Sequence, residues 1–298
     1  MTTPPSASKV VVFDMDETLG YFVEFSIFWE ALLSYIKEYN KEYHLKQDDF
    51  NKILELYPEF IRPNITTLLN YLKQKKISKE CDKIMIYTNN QGPKQWTLYI
   101  KEYFENKIDY PLFDQVILAF KVNGKHVELC RTTHDKTFKD LIKCTKLPLD
   151  TQICFMDDTY YPDMKHDNVY YIKVKPYTYD LSFDLLIERF ISSNIGKKIM
   201  NGDTHFAAFM KHFIQQYKYI YEEKSPEELE IDKIVTKKTM IHLQQFFSKD
   251  NAQFYPNIPS ISSLFVRRRQ QQSKFKNTHK SKKHANKQSK HKKTLRKH

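Results

Sequence analysis

Val10-Val11-Val12-Phe13 is an unbroken apolar run of mostly β-branched residues, ended at once by Asp14. A strand with one wet face alternates apolar and polar residues. One without alternation is buried on both faces, as in the interior of a parallel sheet. The pattern recurs at Lys83-Ile84-Met85-Ile86-Tyr87, at Gln152-Ile153-Cys154-Phe155-Met156 and at Val169 to Val174, with a further candidate at Val116 to Phe120. Between these runs lie stretches with helical spacing: Phe25 to Tyr39, Asp48 to Tyr57, Ile65 to Lys73, a helix beyond Gly92 with Trp96, Ile100 and Phe104, and Lys136 to Leu147. Buried strands alternating with helices predict an α/β fold, a Rossmann-like parallel sheet with flanking helices and right-handed crossovers. Asn123-Gly124 between β-rich flanks predicts a hairpin, since both residues tolerate positive φ.

After Tyr179 the pattern is helical only, over Phe183 to Ile191, Phe206 to Tyr221 and Glu227 to Phe247. The expected division is a flexible N-terminus (1–8), an α/β domain (9–189), an all-helical extension (190–255), and a linker with a disordered basic tail (256–298). The formal charge of +12 belongs to that tail: residues 267–298 hold fourteen Lys and Arg and no acid, which leaves the rest at −2. Such a tail suits non-specific nucleic-acid binding through counterion release, nuclear import or solubility. No run of eighteen apolar residues occurs and the first residues do not read as a signal peptide. An intracellular protein, in cytoplasm or nucleus and without a membrane span, is expected. The four cysteines (Cys81, Cys130, Cys144, Cys154) are scattered, so free thiols are expected. Five glycines exclude a glycine-rich phosphate loop.

In an open parallel sheet, ligands sit beyond the carboxyl ends of the strands. There the sequence delivers Asp14 and Asp16 after the first strand, Thr88 and Asn89 after the second, and Asp157 and Asp158 after a later one. Four converging carboxylates repel unless a cation lies between them. Oxygen ligands without thiol or imidazole select a hard ion, so Mg²⁺ is the expected metal. With Mg²⁺ and a threonine hydroxyl offered to phosphate oxygens, a lysine completes the charge balance of phosphoryl transfer, and Lys136 and Lys139 are the candidates. A carboxylate beside the phosphorus can be the nucleophile, and a second, two residues on, the general acid and base.

The ordered set Asp14-x-Asp16-x-Thr18, Thr88, Lys139 and Asp157-Asp158 resembles the four motifs of the haloacid dehalogenase (HAD) superfamily of phosphotransferases. Within it, Asp16-Glu17-Thr18-Leu19, Arg62-Pro63 and Lys139-Asp140-Leu141 are similar to the D-E-T-L, R-P and K-D-L of the FCP/SCP-type phosphatases. That family acts on the C-terminal repeats of RNA polymerase II, and the resemblance covers roughly residues 9 to 180. It implies Asp14 as phosphorylated nucleophile and Asp16 as general acid and base. Mg²⁺ would be held by Asp14, the Asp16 carbonyl and Asp157, with Asp158 orienting its waters. Thr88 would hold a phosphate oxygen, with Thr18 and Asn89 beside the substrate, and Lys139 would neutralise charge, while Lys136 has the geometric claim of standing nearer the helix start. The implied substrate is a phosphoprotein, and a nucleotide or nucleic-acid end, or a non-catalytic scaffold with a nucleic-acid-binding tail, are the alternatives. Asn89-Asn90-Gln91-Gly92 departs from the small Ala-Ser of many members and leaves the substrate open. Residues 25 to 60 are either a small helical cap or scaffold. The 41 Lys against 7 Arg and the scarce glycine resemble proteins of AT-rich genomes, those of large DNA viruses included.

Overall fold

The computed structural model describes residues 8–217 and 221–248. Its centre is a five-stranded sheet of β1 (Lys9–Phe13), β2 (Lys83–Tyr87), β3 (Gln115–Ile117), β6 (Gln152–Asp157) and β7 (Val169–Lys173). The strand order is β3-β2-β1-β6-β7, with every pair parallel. The expected α/β sheet with flanking helices is therefore present. A two-stranded antiparallel ribbon, β4 (Lys121–Val122) and β5 (Lys125–His126), turns through Asn123 (φ 49°) and Gly124 (φ 77°), as the Asn-Gly signal requires. The chain leaves the sheet after Ile117, earlier than the expected Phe120.

Side chains alternate across each strand, so the two faces have separate cores. Val11, Phe13, Ile84, Ile86, Cys154 and Met156 face one side. There they pack with α1 (Val23–Tyr39), α2 (Gln47–Leu54), α3 (Ile65–Ile77), α4 (Lys94–Ile108), α6 (Phe183–Ser192), α7 (Asn194–Met200), α8 (Phe206–Ile214) and α9 (Pro226–Ser248). Val10, Val12, Met85, Tyr87, Ile153 and Phe155 face the other side, where the helix among the described residues is α5 (Phe138–Thr145), with Leu141, and Leu147 beyond it.

Residues 23–60 are packed into the thick side: Phe25 stands 5.4 Å from Phe50 and 5.7 Å from Trp96, ring centre to ring centre. The helices beyond residue 190 join the same core through Ile199, Phe206, Met210, Leu243 and Phe246, and no gap in packing marks the expected boundary there. α7 was not expected from periodicity. Ser193 both ends α6 and caps α7, its hydroxyl accepting from the Gly196 N–H at 2.9 Å. Gly196 is required there, because a Cβ would lie 1.8 Å from the Phe190 carbonyl oxygen. The helix expected over Phe206 to Tyr221 stops at Ile214 and tightens into a 3-10 turn over Gln215–Tyr217.

Two expectations need correction. The helix expected from Lys136 begins at Phe138, because the Thr137 hydroxyl accepts from the Asp140 N–H at 3.0 Å and so caps the helix one residue after Lys136. The cysteines are not all free thiols. Cys130 and Cys144, with Cα atoms 5.0 Å apart, form a disulfide, while Cys81 and Cys154 are buried thiols. The bond joins a loop to the end of α5, a proximity that spacing along the chain does not signal. The segments 1–7 and 249–298, which include the basic tail and linker, lie outside the described residues.

Candidate active site

The register of β1 on β6 pairs Phe13 with Met156, and the Asp14 N–H continues the ladder to the Met156 carbonyl at 2.8 Å. One step further, the pleat sends Asp14 and Asp157 to the face that carries Val12 and Phe155, the thin side of the sheet. Asp158 joins them: the three residues each offer an oxygen, all within 4.8 Å of one another. The chain then turns tightly at Glu17, which holds φ 57°, a left-handed conformation that a non-glycine residue adopts only when its surroundings impose it. Arg62 imposes it. Its guanidinium donates to the carbonyls of Glu17 (2.5 Å), Thr18 (2.6 Å) and Lys175 (2.8 Å).

Lys136 comes to this group from the loop before α5. Its ammonium is 1% exposed and donates to Asp157 at 2.7 Å and to Asp14. The rings of Tyr87, Phe155 and Tyr161 surround it with centroids 5.6–6.0 Å away. Burial works against the charge, but the two carboxylates outweigh it and hold the lysine above its ordinary pKa. Lys139, the second residue of α5, is exposed and outside the cluster. Of the two candidate lysines, the structure brings only Lys136 to the carboxylates.

Asp16 is half-buried and accepts from the Asn90 side-chain amide at 2.9 Å. Burial and the charge of Asp14 push its pKa up to about 7, against the pull of Asn90 and Lys136. Burial raises Asp158 to about 6, with Asp14 and Glu17 adding to it. Burial also raises Asp157 despite the opposing pull of Lys136. One ammonium thus faces three close carboxylates, with a fourth nearby, and leaves negative charge uncompensated in a buried setting. A hard divalent cation with oxygen ligands fits that donor set.

Thr88 is fully buried at the end of β2, and its hydroxyl accepts from the Asn90 N–H at 3.0 Å. Asn89 donates to the Tyr161 hydroxyl at 3.0 Å, linking the loops after β2 and β6. Thr18 is not brought to the carboxylates. It lines a small void with Phe13, Arg62, Met156, Thr236 and Thr239, and its buried hydroxyl has no hydrogen-bond partner.

Sequence reasoning missed Asn90, Tyr161 and, above all, Arg131. Arg131 is 2% exposed and donates to four carbonyls: Leu118 (2.9 Å), Thr88 (3.1 Å), His134 (2.9 Å) and Asp135 (3.3 Å). It thereby ties the ends of two strands to the loop that carries Lys136. A signal existed. In a chain with 41 lysines, the body holds only Arg62, Arg131 and Arg189, and each serves several acceptors at once, which lysine's point charge does poorly. The geometry can hold a divalent cation, set the Asp14 carboxyl against an ammonium, and place a second carboxyl, with its pKa raised, two residues away. No protein-family model, curated protein or solved structure matches the chain.

Proposed function

We propose that the protein is a Mg²⁺-dependent phosphomonoester phosphatase of HAD type, acting through an aspartyl-phosphate on Asp14. The observation that carries this reading is the convergence of Asp14, Asp157, Asp158 and Lys136 at the carboxyl ends of adjacent parallel strands. Mg²⁺, held by Asp14, Asp157 and Asp158 with the Asp16 backbone carbonyl, would withdraw charge from the phosphoryl oxygens. The Asp14 carboxylate attacks phosphorus, and the leaving oxygen takes a proton from Asp16. Asp16 then takes a proton from water as that water attacks the aspartyl-phosphate, which restores the Asp14 carboxylate and the protonated Asp16 and releases phosphate. Lys136, which donates to Asp14 and Asp157, faces the developing charge, and Thr88 would offer its hydroxyl to a phosphate oxygen.

The substrate class supported by Asp16-Glu17-Thr18-Leu19 and Arg62-Pro63 is phosphoserine or phosphothreonine in protein. Lys139-Asp140-Leu141 lends less to that narrower likeness, because Lys139 lies outside the cluster. A second reading, a phosphatase of nucleic-acid ends, is favoured by Asn89-Asn90-Gln91-Gly92 in place of small residues and by the +14 tail. Phosphate release from an aryl phosphate tests the chemistry: it should need Mg²⁺, cease in EDTA and be lost in Asp14→Asn. Activity that persists in Asp14→Asn removes the nucleophile, and equal activity in EDTA removes the metal. A phosphorylated heptad peptide against a 3′-phosphorylated oligonucleotide decides between the substrates. Deleting residues 267–298 should slow only the second if the tail tethers nucleic acid.

A further inference from the structure

The segment 127–137 that delivers Lys136 has no apolar anchor of its own: Val127 is 40% and Leu129 80% exposed. What fixes it is polar or covalent. Arg131 holds it to the strand ends through the Thr88 and Leu118 carbonyls. Thr132 donates from its N–H (2.8 Å) and hydroxyl (2.9 Å) to the buried Asp140 of α5. Beside both anchors, Cys130 is bonded to Cys144 in the last turn of α5. Both residues of the bond are half-buried. Cys81 and Cys154 are buried, and burial pushes both thiols well up and out of reactive range. Thiol–disulfide chemistry in the described residues is thereby confined to the one bond that latches the Lys136 loop.

We propose that Cys130–Cys144 is a thiol–disulfide switch: oxidised, it latches the loop that holds Lys136 at Asp14 and Asp157, and reduced, it lets that loop open. The reductant is a dithiol. Its thiolate attacks one sulfur, the other leaves and takes a proton, and the dithiol's second thiol resolves the mixed disulfide. Cys130 and Cys144 end as two thiols and the reductant as a cyclic disulfide, a two-electron exchange that oxidised glutathione reverses. For its effect on turnover, the switch rests on the phosphatase reading; for its effect on the loop, it does not.

The test uses the full chain incubated with oxidised glutathione or with dithiothreitol. Thiol titration of the denatured protein should give two thiols in the first state and four in the second. Hydrogen exchange should be at least about ten-fold faster over 127–137 after reduction, with β1 and β6 unchanged, since openings of this kind are local. Aryl phosphate turnover should fall by about ten-fold, because small misplacements of catalytic groups are costly. The double variant Cys130→Ser, Cys144→Ser should behave as the reduced protein in either reagent. Four thiols after oxidation, equal exchange in the two states, or equal and measurable turnover in oxidised wild type and the oxidised variant overturns the switch. If the oxidised protein releases no phosphate at all, the phosphatase reading fails, and thiol count and exchange alone decide the switch.

Discussion

On one side of the sheet Phe25, Phe28, Phe50, Tyr57 and Phe60 interlock, and helices from the chain's first and last thirds close over them. On the other, α5 contributes Leu141, and the loop before it exposes Leu129 to solvent. Yet Asp14, Asp157 and Lys136 all meet on this second, thin side. The thick side fixes the Asp14 turn indirectly, through Arg62 at the start of α3. The thin side holds its own contribution with one arginine, one buried aspartate and one disulfide. The difference teaches that the bulk of the protein stabilises the sheet, while the geometry of the site depends on a few polar ties that add little to the core.

The largest effect that this comparison predicts is on turnover at a single position. Lys136→Ala should lower kcat by about 10²–10³-fold, the scale seen when one charge-stabilising donor is removed from a preorganised site. Lys139→Ala, on the exposed face of α5, should change it by less than about two-fold, within the small range of ordinary surface substitutions. Phosphate release by the two variants checks this, and the reverse order would move the functional lysine into the helix. A melt should accompany it, because removing Lys136 leaves two buried carboxylates without their partner, a loss of about 3–5 kcal/mol when a buried pair is broken. Asp14→Asn combined with Lys136→Ala should melt closer to wild type than Lys136→Ala alone.

Much of this site is legible in the chain. The four buried strands read correctly because unbroken apolar runs have few other uses, and the polar residues at their ends follow from strand length. Even the side was readable: Val10, Val12 and Asp14 share one parity, and Ile153, Phe155 and Asp157 another, so a parallel register brings the two aspartates together. Thr137 three residues before Asp140 is a helix-start signal, and it leaves Lys136 in the loop where the site needs it. The Cys130–Cys144 bond and the four acceptors of Arg131 were not legible. Both depend on how a coiled segment folds back, and no local preference encodes that. Thr18 was misplaced for a similar reason: motif spacing fixes its distance from Asp16 but not the turn at Glu17 that sends it to the core.

Core truncations should separate the two sides next. Phe28→Ala, within the aromatic cluster, should cost about 3–5 kcal/mol and Leu141→Ala about 2–5 kcal/mol. For a domain of this size each kcal/mol lowers Tm by roughly 2–4 °C. The sharper contrast lies in activity per folded molecule, measured well below the melt. Phe28→Ala should leave kcat within about two-fold and Leu141→Ala should lower it by about ten-fold, since α5 carries the Asp140 that holds Thr132. Equal kcat losses would erase the distinction between bulk support and local ties. Thr137→Ala is the milder form of the thin-side lesion. Loss of a helix cap costs about 1 kcal/mol, and kcat should fall by more than that stability loss alone explains.

The smallest effect belongs to the third arginine of the body, on the thick side. Arg189 makes a bidentate pair with Glu59 at 2.7 and 2.9 Å and also donates to the Leu56 carbonyl, but the surrounding aromatic core already fixes both segments. Burial opposes the charge of Glu59, and the Arg189 hydrogen bonds outweigh it, so its pKa is lowered. A carboxylate depressed in the folded state adds stability above its unfolded pKa of about 4.3, and that contribution is lost as pH falls through the folded value. Glu59→Gln should therefore melt below wild type by less than about 1 kcal/mol at pH 6, as partly exposed pairs do. The gap should close once the pH lies below the folded value, where both proteins carry a neutral side chain. A gap that stays constant with pH would mean that the charge of Glu59 adds nothing to the pair. A gap larger than that of Thr137→Ala would mean that the thick side, too, relies on its arginine, and the contrast between the faces would fail.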